Sequence, residues 1–155
     1  MELEIRRASS IEARLVFEVV QAAFEEYRGK LAATPGALRE TLEEMERDVA
    51  EGCVLVAWRG EEAVGTARYR LEEDHVYVGR VAVLPKCRGQ GIGAALMGYI
   101  ERIAPGLRQH EIRLGTRRSM PSNIAFYKAL GYRVEREELH SSGLDYVVWF
   151  VKNVP

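Results

Sequence analysis

The sequence predicts a mixed α/β fold of the α+β kind, in which a mostly antiparallel sheet of about seven strands is flanked by four helices. Apolar runs separated by short turns between positions 53 and 84 predict an antiparallel meander of three strands. A glycine-rich loop joins the last of these strands to a segment of helical periodicity at positions 92–103. A short helical crossover implies that the next strand, at 111–115, lies parallel to the strand before the loop. The predicted order is β-α-α-β-β-β-α-β-α-β-β.

The N-terminal third is predicted to hold one strand and two helices. Apolar and charged residues alternate over positions 2–8, which is typical of a strand. Ser9 and Glu12 have the spacing of a capping box at the start of the first helix. Thr34, followed by proline, indicates the start of a second helix that ends at Gly52. The acidic residues of both helices are predicted to be solvated: Glu25, Glu26, Glu40, Glu43, Glu44 and Glu46. The alternative is that the helix ends form one wall of a substrate cleft and attract a cation.

Composition and charge exclude several classes of function. The 155 residues are predicted to form a single domain over positions 1–155, with 47% hydrophobic and 29% charged residues. A net charge of -1 provides no basic field for nucleic acid or an anionic membrane. No apolar run is long enough to span a bilayer, and the N-terminus has no apolar signal core. Two cysteines and three histidines lack metal-ligand spacing, so we expect a cytoplasmic protein without a metal site.

The loop between the third strand of the meander and the central helix is a candidate anion site. Its glycines are Gly89, Gly91 and Gly93, and its basic residues are Lys86 and Arg88. The first N–H groups of a helix lack intrahelical partners, and glycines allow an anion to approach them. The pattern therefore predicts a cradle for a phosphate or diphosphate. The alternative is an ordinary strand-to-helix turn, made possible by the glycines, with two solvated basic residues.

A second segment with functional character follows the parallel strand. A polar loop at 116–123 leads into a short helix that Ser122 or Asn123 can cap, and this helix ends at Leu130. Gly131 occupies the position of a left-handed C-terminal cap. Two final strands are predicted at 132–138 and 145–151, joined by a polar loop.

Together the two segments resemble the GCN5-related N-acetyltransferase (GNAT) family. Residues 88–93, Arg-Gly-Gln-Gly-Ile-Gly, match the family's Gln/Arg-x-x-Gly-x-Gly/Ala loop. Residues 123–132 resemble the Asn-x-x-Ala-x-x-x-Tyr-x-x-x-Gly-Phe region in its short form. Because the element order is also that of the family, the resemblance covers nearly the whole chain.

The resemblance implies an acetyl-CoA-dependent N-acetyltransferase that moves an acetyl group directly to a primary amine, on a small molecule or a protein. By this resemblance the loop holds the CoA pyrophosphate, the strand before it holds the pantetheine arm, and Tyr127 protonates the departing thiolate. The cofactor-binding residues carried over are Val81, Ala82, Val83, Arg88, Gly89, Gln90, Gly91, Ile92, Gly93, Ala94, Asn123 and Tyr127. Tyr127 is also the predicted catalytic residue, with a core tyrosine as the alternative reading.

Several roles stay open at the level of sequence. Tyr77 stands where some relatives carry a glutamate that acts as general base, so no base is assigned. Other candidates lie in or beside a turn: Glu72, Glu73, Asp74 and His75. Arg80 is either a solvent-facing strand residue or a partner for a substrate carboxylate. Arg117 and Arg118 either contact CoA phosphate or are solvated.

Two further hypotheses complete the sequence reading. Without an obvious base, the chain is alternatively a catalytically weak CoA-binding sensor or interaction module. A nucleotide-binding loop would need Gly-Lys-Ser/Thr, and Gly93 is followed by two alanines. The acceptor is expected to be selected by the first two helices and the loop at 139–145, and the last strands could support a homodimer.

Overall fold

The computed structural model describes residues 2–155, and its seven strands form one mixed sheet in the order β1-β2-β3-β4-β5-β7-β6. The strands are β1 (Leu3–Arg7), β2 (Val54–Arg59), β3 (Glu62–Leu71), β4 (Val76–Val83), β5 (Glu111–Arg117), β6 (Arg133–Leu139) and β7 (Tyr146–Asn153). Strands β4 and β5 are parallel, and the other neighbouring pairs are antiparallel. The predicted fold class, element order and parallel pair are confirmed.

Four α-helices cover the two faces of the sheet. They are α1 (Ala13–Phe24), α2 (Leu42–Ala50), α3 (Ile92–Ile103) and α4 (Pro121–Ala129). Val16, Val20 and Met45 from α1 and α2 pack on one face, whereas Leu96 and Ile100 of α3 pack on the other. All five side chains are fully buried, so α1, α2 and α3 each present an apolar stripe to the sheet. Among residues 2–155, no helix combines the length and apolar character that a bilayer span requires.

The second helix begins later than the sequence predicts. A 3₁₀ turn occupies Gly36–Arg39, Glu40 is extended, and α2 starts only after Thr41, whose hydroxyl accepts a hydrogen bond from the Glu44 N–H at 3.2 Å. The cause is tertiary, because the Glu40 carboxylate is buried and pairs with Arg68 of β3. The expectation that Glu40 is solvated is therefore wrong, and its burial breaks the helical path.

The C-terminal elements follow the predicted pattern with one local difference. Helix α4 begins at Pro121 with Met120 as the N-cap, and neither Ser122 nor Asn123 caps it. Proline suits the first helical position because the N–H it lacks would have no intrahelical partner there. Gly131 follows the helix with φ of +93°, as predicted for its C-terminal end.

Strands β4 and β5 separate halfway along their length. Their parallel pairing covers only Val76–Val78 on β4, whereas β4 continues to Val83 against β3 on its other side. A β-bulge interrupts the β3–β4 register, and Arg80 lies in it with φ of +51°. This conformation is uncommon for a residue with a side chain, and bulges bend and twist the strand that carries them. The bend coincides with a V-shaped gap in the middle of the sheet.

Candidate active site

A cleft of about 1070 Å³ lies between the end of α1, the gap beside β4, and the N-termini of α3 and α4. It contains eleven of the twelve residues predicted to bind the cofactor: Val81, Ala82, Val83, Arg88, Gly89, Gly91, Ile92, Gly93, Ala94, Asn123 and Tyr127. Its lining is mostly apolar, with polar groups concentrated at the loop and at the end of α1. A cleft of this size is large enough for an extended cofactor.

The exception is Gln90, which does not line the cleft. Its side-chain oxygen accepts a hydrogen bond from Arg59 at the end of β2. Lys86 is also directed elsewhere, because its ammonium pairs with Glu62 at 2.6 Å on the surface. Of the two basic residues of the loop, only Arg88 reaches the cleft.

The glycine-rich loop presents a set of unpaired backbone donors. Gly91 is the N-cap of α3 with φ of +79°, a conformation that favours glycine. Among the described residues, no backbone carbonyl accepts from the N–H groups of 89–94, and the first helical bond is Ala95 N–H to Gly91 at 3.0 Å. These donors lie at the positive end of the α3 dipole. The chemistry of this donor set fits a pyrophosphate.

The loop can approach the fourth helix closely because residue 93 is glycine. A Cβ atom at Gly93 would lie 3.0 Å from Cζ of Phe126, which is tighter than ordinary carbon contacts. The N-terminal turns of α3 and α4 therefore border the same cleft from adjacent sides.

Arg88 is held by the first helix. Its guanidinium pairs with the Glu26 carboxylate and donates to the Ala23 carbonyl at 2.7 Å. Glu26, which is predicted to be solvated, is about half exposed and lines the cleft. Its carboxylate forms the ion pair with Arg88. Burial and the nearby Glu26 charge raise the pKa of Tyr27, so this cleft-lining phenol is neutral at physiological pH.

Strand β4 offers free backbone groups along the gap. The Leu84 N–H donates to Val64 of β3 at 2.9 Å, and Ala82 lies opposite Thr66. Because hydrogen-bonding directions alternate along an antiparallel strand, the N–H and C=O groups of Val81 and Val83 point away from β3, toward the gap. Buried backbone groups need partners, so these groups fit an extended amide-bearing arm.

Tyr127 lies at the centre of the site. The centroid of its ring lies 5.9 Å from that of Phe150 and 6.0 Å from that of Tyr132. These contacts fix the side chain beneath α4, the helix that carries it. Its side chain is almost fully buried, and burial raises the pKa of the phenol, which therefore keeps its proton. No residue in 2–155 forms a hydrogen bond with its hydroxyl group. Tyr127 is therefore packed as a core tyrosine would be, and it also lies on the wall of the cleft.

A second cavity of about 300 Å³ opens on the other side of the gap, between β4, β5 and β7. Five residues line both this cavity and the cleft: Phe24, Val81, Met120, Asn123 and Tyr127. The two spaces therefore meet at the point where β4 and β5 separate. A donor entering from the cleft and an acceptor entering from the cavity would meet beside Tyr127 and Asn123.

The three arginines whose roles the sequence leaves undecided lie in different parts of the structure. Arg80 and Arg117 line the second cavity, so the solvent-facing reading of Arg80 is wrong. Arg117 pairs with Asp145 at 3.4 Å, and Arg118 stacks on Tyr146 at 3.9 Å. Neither Arg117 nor Arg118 lines the cleft, so they do not lie where the loop would hold the pyrophosphate.

The proposed turn bases lie outside both spaces. Glu72 pairs with Arg70, and Asp74 pairs with His75 at 2.7 Å. Tyr77 and His140 do line the second cavity. The Nδ1 atom of His140 accepts from the Ser142 N–H at 3.1 Å, which leaves its proton on Nε2 in the neutral ring.

Sequence reasoning offered the helix ends as a possible cleft wall, but it did not single out the aromatic and basic residues at the end of α1 or most residues of the second cavity. The aromatic and basic residues after position 23 were a usable signal: Phe24, Tyr27 and Lys30. Nothing comparable marks the second cavity, because it is assembled from segments at 24–39, 77–81, 114–127 and 140–149. Two expectations anticipated part of it: that the first helices and the loop at 139–145 face the acceptor, and, as an alternative, that Arg80 meets a substrate carboxylate.

Comparison with known proteins gives the same family. A family model described as "Acetyltransferase (GNAT) family" matches residues 15–132. The chain is 28% identical to the uncharacterized N-acetyltransferase YjcF of Bacillus subtilis over 99 residues, which are 64% of this chain and 66% of YjcF.

Solved structures share the fold at lower identity. The PaiA N-acetyltransferase of Thermoplasma acidophilum, in complex with coenzyme A, superposes with a TM-score of 0.80 at 19% identity, covering 96% of this chain and 98% of that one. The ribosomal-protein-S18-alanine N-acetyltransferase of Escherichia coli gives 0.79 at 16% identity, with coverage of 99% and 94%. With the family model matching most of its length, this chain belongs to the GNAT acetyltransferase family.

Proposed function

We propose that this chain transfers the acetyl group of acetyl-CoA directly to a primary amine, with Tyr127 as the hydrogen-bond donor to the leaving sulfur. The observation that carries the proposal is the position of Tyr127, which lines both the cofactor-sized cleft and the second cavity. Membership of the family supports acetyl transfer in general.

The chain's own groups supply binding and orientation. The N–H groups of 89–94, with Arg88, would hold the pyrophosphate, and the free backbone groups of Val81 and Val83 would hold the pantetheine arm. Asn123 would contact the same arm from α4. Bound acetyl-CoA supplies the thioester carbonyl that the amine attacks. The Val81 N–H would donate to the oxygen that becomes negative during the attack.

The proton balance gives Tyr127 its role. An N–C bond forms and a C–S bond breaks; the amine loses its extra proton to solvent, and CoA leaves as a thiolate that takes a proton from solvent once it is released. A thiol has a pKa of about 8.5, so the phenol, whose pKa is raised by burial, keeps its own proton and stabilises the thiolate by a hydrogen bond. No dedicated carboxylate base is assigned, because the acidic turn residues lie outside both spaces and Glu26, which lines the cleft, pairs with Arg88.

The test is acetyl-CoA consumption with a panel of amines by wild type and Tyr127→Phe. Phenylalanine preserves the ring contacts with Phe150 and Tyr132 and removes only the hydroxyl. We expect kcat to fall about 10²- to 10³-fold, in the range measured for loss of an acid or oxyanion donor, with the Kd of acetyl-CoA nearly unchanged. Unchanged turnover in the variant would remove Tyr127 from the mechanism.

The same measurements separate the enzyme from the sensor hypothesis. A CoA-binding sensor would bind acetyl-CoA in calorimetry and turn over none of the amines. The absence of a carboxylate base keeps this alternative open, and detectable turnover by the wild-type protein decides against it.

A further inference from the structure

We propose that the acceptor is a small amine that also carries an anionic group, and that Arg80 binds this group, with Arg39 beside it at the cavity mouth. The inference rests on the proposed function, because it assigns the acceptor to the second cavity. It concerns only the chemistry of the acceptor and adds nothing to the transfer step itself.

The charge lining the second cavity is of one sign. Among residues 2–155, three arginines and one histidine line it, namely Arg39, Arg80, Arg117 and His140, and no aspartate or glutamate does. Such a low-dielectric concave site concentrates anions and repels cations. Polyamines and aminoglycosides, with several positive charges, are therefore poorly matched to it, whereas an amine with a carboxylate or phosphate is well matched.

One of these arginines is already compensated by the protein. Arg117 pairs with Asp145 and donates to the Ala33 carbonyl. Its side chain is only 11% exposed, and the carboxylate beside it is 10% exposed, so this pair is a structural element between β5 and the start of β7. It fixes the wall of the cavity and leaves little charge for a ligand.

Arg80 has no such compensation. The Nε atoms of both Arg80 and Arg117 are buried without a hydrogen-bond partner, but Arg117 has the Asp145 carboxylate at 3.4 Å, whereas the Arg80 guanidinium forms no ion pair within residues 2–155. Desolvating a charged donor without a partner is unfavourable, and the left-handed backbone at the bulge adds a second unfavourable contribution. Both contributions fall on one residue that faces a cavity. An anion supplied from outside the chain would satisfy the guanidinium.

The position of Arg80 suits a group attached to the reacting amine. Arg80 precedes Val81, which lines both the cleft and the second cavity. The cavity holds about 300 Å³, so the acceptor is compact. The planar guanidinium matches the geometry of a carboxylate or a phosphate through two parallel hydrogen bonds. His140 also lines the cavity, and because its Nδ1 accepts from the Ser142 N–H, its Nε2 is the ring atom that can donate to a ligand.

Glycine at position 36 allows this placement. A Cβ atom there would lie 3.1 Å from Nη2 and 3.4 Å from Nη1 of Arg80, so the guanidinium packs directly against the Gly36 backbone. An alanine would displace the flexible end of the arginine by a few tenths of an ångström without touching the core. Gly36→Ala therefore changes the position of the charge while leaving Arg80 in the sequence.

The experiment compares acceptors of equal length that differ in charge: γ-aminobutyrate, its carboxamide, putrescine and aminopropylphosphonate. For wild type, we expect kcat/KM to be highest for an anionic amine and lowest for putrescine. The two anionic amines distinguish a carboxylate site from a phosphate site. In Arg80→Gln, the preference for the anionic amine over the carboxamide should fall about 10- to 100-fold, the range for a charge-assisted hydrogen bond.

Matched variants serve as controls. Arg14→Gln removes an exposed arginine of α1 that lines neither space, and it should keep the wild-type preference. Gly36→Ala should lower the preference for the anionic amine with an unchanged melting temperature. The Kd of acetyl-CoA should be the same in all three variants. A weaker Kd in Arg80→Gln would assign the arginine to the cofactor and overturn the proposal.

Binding measurements without turnover test the anion site separately from the proposed acetyl transfer. Calorimetric titration of the same four amines into the CoA complex gives the Kd of each amine independently of catalysis. Anionic amines that bind through Arg80 but are not acetylated would contradict the proposed function and support the anion site. Equal or tighter binding and faster turnover of putrescine would overturn the anion site and leave the proposed function intact.

Discussion

The Gly65→Ala substitution tests whether the close approach of α3 to the sheet builds the cofactor cleft. Gly65 is buried on β3, under the first turn of α3. A Cβ atom there would lie 2.8 Å from Cγ2 of Ile92, 3.1 Å from the Ala82 carbonyl oxygen and 3.3 Å from Cδ1 of Leu96. Two of these three neighbours, Ile92 and Ala82, also line the cleft.

The expected cost follows from these distances. Carbon atoms pack best at about 3.5–4.0 Å, so the contact with Ile92 is too short by more than half an ångström. Overpacking of this kind destabilises by about 1–3 kcal/mol, and replacing glycine in a strand returns about 0.5–1 kcal/mol. The two ranges combine to about 0–2.5 kcal/mol, and because the Ala82 oxygen is backbone and cannot move aside as a flexible side-chain end can, we expect a net loss of about 1–2 kcal/mol in the free energy of unfolding. For a chain of this length this lowers Tm by about 2–8 °C.

The assay is urea unfolding of Gly65→Ala beside Gly106→Ala. Gly106 is exposed, and a Cβ atom there would meet nothing within 4 Å, so the same change should be neutral or slightly stabilising. Displacement of Ile92 should also weaken acetyl-CoA binding, seen as a smaller ligand-induced rise in Tm than in wild type. Equal stability of the two variants, with equal cofactor-induced shifts, would refute the reasoning that the approach of α3 to β3 is tight.

Three further predictions concern charge and strain. Because burial raises the pKa of Tyr127, the phenol stays protonated, and kcat/KM should rise as the amine deprotonates, without falling below about pH 10; a descending limb near neutral pH would contradict this. Glu26→Gln should free Arg88 and tighten acetyl-CoA binding a few-fold at low salt, with a smaller effect at high salt in calorimetry. Arg80→Gly should relieve a left-handed residue and stabilise the fold by up to about 1 kcal/mol in urea, as should Arg108→Gly, but only the former should alter acceptor preference.

The predictable half of the site is the half encoded locally. A strand that ends in proline, three alternating glycines and a helical stripe determine the loop and its N–H groups within one short segment. The same holds for Gly131, whose positive φ ends α4 as expected. Local chemistry of this kind depends on backbone conformation and capping, which nearest neighbours in sequence control.

The start of α2 shows where such reasoning fails. Thr34 and Pro35 have the pattern of a helix start, yet the helix begins after Thr41 because Glu40 is drawn into an ion pair with Arg68. Twenty-eight positions separate the two partners, so no local pattern indicates their contact. Helix propensity is a weak preference. It is overridden here because a buried Glu40 or Arg68 without its charged partner would be strongly unfavourable.

The bulge in β4 explains why the donor side could be predicted and the acceptor side could not. One extra residue on β4 shifts its register against β3, and the same strand loses its pairing with β5 beyond Val78. The loss of pairing frees backbone groups, which any sequence of apolar residues provides equally. The bulge also places the Arg80 side chain in the second cavity, where the regular alternation of a strand gives no reason to expect it. In the proposed function, recognition of the cofactor would therefore depend on backbone geometry, whereas recognition of the proposed anionic acceptor would depend on one side chain in an irregular position.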